Sequence, residues 1–168
     1  MASMSQITIP VFVKHLNALA TCMKKAQAHY AEKKYDEGTL IGYRLYPDMF
    51  NFARQVQQAT EHARNCTGAL AGIEAPKYEM NEKTLADLVA RCEKSVAWLN
   101  TVKPDQLDGT EGKSVTVKAG DRELTFTGLD LVLKRSMPNF YFHCTTAYAL
   151  LRHAGVDIGK VDYVGAAS

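Results

Sequence analysis

The 168-residue chain lacks most of the features that would assign a protein at sight. No apolar run approaches the ~20 residues needed to cross a bilayer, so no membrane span is expected. Neither sign of charge dominates: 20 Lys and Arg stand against 18 Asp and Glu, a formal charge of +2. With no dense Lys/Arg cluster, nucleic acid is not an expected partner. The opening MASMSQITIPVFVKHL has no basic segment followed by a long apolar one, so a secretory signal is not expected and the chain reads as cytoplasmic. Cys22, Cys66, Cys92 and Cys144 form no CxxC pair, which argues against structural zinc. They read instead as reduced, buried small hydrophobes, one in each expected helix. There is no glycine-rich phosphate loop, no GxSxG, no HxxxH or HExxH, and no internal repeat.

What is present is helical periodicity. The composition, 46% hydrophobic and 23% charged, is ordinary for a globular chain and fits one domain over residues 1–168. A first helix is expected from Ile9–Pro10 to Lys33, with Phe12, Leu16, Leu19, Met23 and Ala26 as its apolar stripe. A linker with turns at Asp36, Gly38 and Gly42 follows, and places Tyr43, Arg44 and Tyr46 at the rim of the next helix. That central helix is expected from Pro47 and Asp48, both suited to a first turn, to Thr67–Gly68. Its apolar residues are Met49, Phe52, Ala53, Val56, Ala59, Ala63 and Cys66, while Asp48, Gln55 and His62 recur two turns apart on the same face. A third helix is expected from an Asn81 N-cap to just before Lys103–Pro104. From Ser114 to Phe126 the period changes to two, a hairpin signature around Ala119-Gly120-Asp121. Thr127 can cap a short helix from Gly128 to Lys134, the last long helix runs from Pro138 to His153, and the tail reads as irregular. Four long amphipathic helices and one small hairpin predict an all-α four-helix bundle, with the hairpin lying on the bundle or on a partner.

Sites in bundles are built from side chains on facing helices. His62 and His143 are the natural pair to meet across the core, with Asn139 one turn before His143 and Gln55 two turns before His62. Two imidazoles suit zinc, nickel, copper or iron alike, or a histidine base in a small-molecule pocket. The alternative is that each histidine is simply hydrogen-bonded in the core. Arg44 and Arg54 could grip an anionic substrate through their fork geometry, although single arginines commonly belong to surface ion pairs. Tyr141 and Tyr148 could donate hydrogen bonds but read as core aromatics, and Asp48 reads as a helix-end charge. His15, His29 and His153 are expected to be solvated or at helix ends, and Cys144, although next to His143, points about 100° away from it.

Four stretches together carry a resemblance: IPVFVKHLNAL, YPDMFNFARQVQQATEHA, GDRELTFTG and PNFYFHCTTAYALLRHAGVDIGKVDYVG. Nearly the whole chain resembles a bacterial and fungal family of unknown function within the DinB/YfiT-like superfamily. The resemblance implies an up-down-down-up four-helix bundle, often dimeric, so a homodimer is expected. Better-known members hold a divalent metal with three histidines, and some are thiol transferases or isomerases. By this resemblance His62 matches the second-helix ligand and His143 the second histidine of the last-helix pair. The first histidine of that pair falls on Asn139, a weak ligand for zinc or nickel. The triad is then completed from elsewhere, His15 for example, or metal is held loosely, or the cavity holds an organic ligand.

The sequence therefore predicts a polar core pocket around Gln55, His62, Asn139 and His143, with Tyr43 and Arg44 at its mouth. It would bind a small molecule and, with His62, His143 and Asn139 as ligands, a divalent metal such as zinc or nickel. Chemistry, if any, would be of transferase or isomerase type. The competing expectation is a non-catalytic ligand-binding or stress-related bundle with a vestigial metal site.

Overall fold

The computed structural model describes residues 2–165. Four long helices, α2 (Ile9–Lys33), α4 (Phe52–Ala71), α5 (Leu85–Leu99) and α7 (Met137–His153), form the bundle. Short helices α1 (Met4–Ile7) and α3 (Glu37–Ile41) precede α2 and α4, α6 (Gly128–Asp130) leads toward α7, and α8 (Lys160–Val164) follows it. The long helices run up-down-down-up: α2 packs mainly on α5 and α4 on α7, and the α4–α5 and α2–α7 contacts close the ring. Phe12, Phe52 and Phe140 are fully buried in its centre, where Phe12 and Phe140 meet edge to face at 4.9 Å. Each such side chain contributes roughly 1.5–3 kcal/mol by leaving water. All four cysteines are free and buried, one on each long helix. No helix among the described residues is long and apolar enough to cross a membrane.

The element boundaries differ from expectation where local hydrogen bonds compete. The central helix starts at Phe52, not Pro47, because the Asn51 side chain caps it by accepting from the Arg54 amide at 3.0 Å. Upstream, Arg44 donates to the carbonyls of Pro47 and Met49, which ties those residues into a turn and leaves Asp48 exposed, off the helix. Gly68 does not end α4; the helix continues to Ala71 and stops at Gly72, whose φ of +70° suits glycine. Gly68 is needed inside the helix, since a Cβ there would come within 2.9 Å of the Ile73 carbonyl oxygen.

The third helix starts at Leu85 because Thr84 and Asp87 form a capping box. Asn81 donates to Glu79 instead of capping. The linker before α4 holds α3, whose Glu37 carboxylate accepts from the Leu85 amide, and the tail forms α8, pinned to α2 by Lys25–Asp162 at 2.7 Å.

The hairpin pairs β1 (Ser114–Ala119) with β2 (Arg122–Thr127), antiparallel about the two-residue turn Gly120–Asp121. Val115 is buried beneath it, so the hairpin lies on the bundle beside α4. The expected short helix after it is instead continuous with α7: Gly128–Asp130 is α-helical and Leu131–Ser136 is a wider π-helical segment. Such π-helical segments are rare and are frequently found at functional sites.

Candidate functional site

The polar stripe of α4 and the start of α7 face each other across a cavity of about 570 Å³. From α4 come Arg54, Gln58, Glu61, His62 and Asn65; from the π segment and α7 come Arg135, Ser136, Asn139 and His143. The hairpin adds Val117 and Lys118, and Phe50 stands at the edge, largely exposed.

The two histidines do meet. Their ring centroids are 5.5 Å apart with an interplanar angle of 16°, and Phe50 extends the stack beyond His143 at 6.3 Å. Gln55, fully buried behind them, donates its Nε2 to the Phe50 carbonyl at 3.1 Å. That bond orients the amide so that Oε1 faces His143 Nδ1 at 2.7 Å. An amide oxygen only accepts, so Nδ1 carries the proton and Nε2 keeps its lone pair. Among the described residues Nε2 has no protein partner, and the side-chain nitrogens that are both buried and unpartnered belong to Arg64 and Arg91 alone. The free imidazole nitrogens are therefore open to the cavity that the rings line.

Both histidines are held neutral at pH 7. Burial pushes His62 down to about 4, helped by His143 and by the positive charge of Arg135. Burial also pushes His143 down to about 4, with Arg54 adding to it. Cys66, on the same wall, is no nucleophile, because burial pushes its thiol up to about 12.

The donor set fits a metal only in part. Two neutral imidazoles are present, but the third position is Asn139, whose Nδ2 donates to the Arg135 carbonyl at 2.7 Å and leaves a neutral oxygen. No cluster of three or more His, Cys, Asp or Glu side chains suited to a metal occurs among the described residues. His15 does not complete the set. It bonds the Val11 carbonyl and packs against Tyr141 on a separate groove.

Of the six pocket residues expected from sequence, the fold joins His62, Asn139 and His143 on the cavity, with Gln55 directly behind. Tyr43 and Arg44 stand apart. Tyr43 stacks on His153 at 5.7 Å, and Arg44 lines a neighbouring groove that shares only Phe50 and Arg54 with the histidine cavity. Arg135, Lys118 and Glu61 escaped the sequence reading. Arg135, Asn139 and His143 follow at four-residue intervals, a signal that the expected break between two helices concealed.

The model of a domain of unknown function, DUF1993, matches residues 4–164. A DinB family member from Shewanella denitrificans, known from its crystal structure, is similar at 34% identity and a TM-score of 0.87 over 97% of this chain and 92% of that one. No curated protein matches. With nearly every residue covered by a family model and by a homologous fold, the chain belongs to the DUF1993 family and has the DinB-like bundle.

Proposed function

We propose that the cavity between α4 and α7 is a small-molecule site in which His143 is the working base. The supporting observation is the chain Phe50 carbonyl–Gln55–His143, which fixes one tautomer and leaves Nε2 unprotonated and accessible. A general base needs a free, positioned lone pair at the working pH, which His143 has; its pKa of about 4 makes it a weak base. His62, stacked beside it and also neutral, can accept a hydrogen bond from the same bound molecule. If the site turns over a substrate, proton movement at His143 Nε2 suits isomerase- or transferase-type chemistry. Zinc or nickel enters this reading only as a loosely held guest of His62, His143 and the Asn139 oxygen. The homodimer expected from the family resemblance is carried forward with it, to be checked by sedimentation.

The test is nitrogen-15 NMR of the histidines combined with a screen of small charged and neutral molecules. We expect His143 to appear at pH 7 as the neutral Nδ1–H tautomer, and bound molecules to perturb the His62 and His143 resonances. In Gln55→Leu the tautomer should lose its bias, and burial of an unpaired ring N–H should cost about 1–3 kcal/mol of stability. An Nε2–H tautomer in the unaltered protein would sink the base assignment. Zinc titration settles the guest: tight stoichiometric binding abolished by His143→Ala would move the reading to a metal centre.

A further inference from the structure

Building on the small-molecule reading, we infer that the pocket selects an oxyanion, a ligand carrying a carboxylate or phosphate gripped by Arg54 and Arg135. Three cationic side chains, Arg54, Arg135 and Lys118, line the cavity against one carboxylate, Glu61, and both histidines are neutral. Glu61 is already engaged, accepting from Gln58 Nε2 at 2.7 Å.

The two arginines are not. Both are half-buried, and among the described residues neither guanidinium has a carboxylate partner or a side-chain hydrogen bond. Arg54 only stacks on Phe50, 5.4 Å from the ring centroid. A guanidinium has five N–H donors in a planar fork matched to carboxylate and phosphate. Holding two such forks half out of water on one cavity, without an anion, leaves their charge uncompensated, and a ligand oxyanion would compensate it.

Each arginine also bears on one histidine. Arg135 helps hold His62 neutral, and Arg54 does the same for His143. Under this inference the anionic group seats on the arginines and presents the rest of the molecule to the His62 and His143 rings on the same cavity.

The test uses succinate, inorganic phosphate and the neutral isostere succinamide, titrated against the full chain while the His62 and His143 ring signals are followed by NMR. Succinate or phosphate should bind and perturb both histidine ring signals, and succinamide should not. Arg54→Gln and Arg135→Gln should each weaken anion binding about tenfold or more, the loss of a charge-assisted contact. Succinate against phosphate distinguishes a carboxylate from a phosphoryl ligand. Succinamide binding as tightly as succinate would overturn the anion inference and leave the small-molecule reading standing. Failure of all three probes and of the neutral screen to perturb either ring would overturn both.

Discussion

Two arginine pairs lie on either side of α4, and they have opposite fates. Arg64 and Arg91 are almost fully buried beneath the 72–84 segment, while Arg54 and Arg135 flank the histidine cavity. Arg91 is paired: it meets Glu82 at 2.5 Å and donates to Thr60 Oγ1 and the Glu79 carbonyl at 2.8 Å. Gln57 holds the other oxygen of Glu82 at 2.9 Å. Arg64 donates to the Pro76 carbonyl and lies 3.9 Å from the centroid of the Tyr78 ring. These contacts strap an irregular segment onto α4 and α5. Arg54 and Arg135 tie nothing down. A buried cation whose partners lie in the fold is held by structure, whereas half-buried cations without protein partners keep their donors available on the cavity.

Breaking the structural pair should give the largest effect. Arg91→Met leaves Glu82 buried without its cation and should cost about 3–5 kcal/mol, read as a fall in the urea midpoint. Arg64→Met should cost distinctly less, because it strands no carboxylate and removes the unpartnered Nε and Nη2. Equal losses from the two would erase the distinction within that pair.

Acid gives an intermediate effect. His62 and His143 have folded pKa values near 4, below the ordinary 6.5, so between those limits the unfolded chain binds more protons than the folded one. Stability is therefore lost as pH falls from about 6.5 toward about 4. Thermal midpoints across that range should drop less steeply in His62→Asn. A slope unchanged by that substitution would remove His62 from the acid response. The smallest effect should come from the cavity pair: Arg54→Gln and Arg135→Gln should change stability by no more than about 0.5 kcal/mol. A loss as large as that of Arg91→Met would make them structural and dissolve the comparison.

How far the sequence reaches can be judged from particular residues. Helical spacing located α2 and α7 closely, and alternation located the hairpin, because apolar period and turn chemistry are local properties. The meeting of His62 and His143 was also legible, since facing stripes of a bundle must come together. The start of α4 was not. Pro47 is locally suited to a helix, but Asn51 caps better once Arg44 has bound the carbonyls of Pro47 and Met49. Tyr43 was misplaced for a related reason: its ring is taken by His153 from the far end of α7.

The sequence by itself determined most of the helical pattern and the two imidazoles, since residue identity and spacing are enough for these, while the missing third histidine was implied by the family resemblance. Only the tertiary structure decided which histidine nitrogen is free, that both rings are neutral, and that Arg135 and Arg54 line one cavity. Those outcomes depend on burial and on partners distant in sequence, Gln55 to His143 and Arg135 to His62, and no local pattern encodes them.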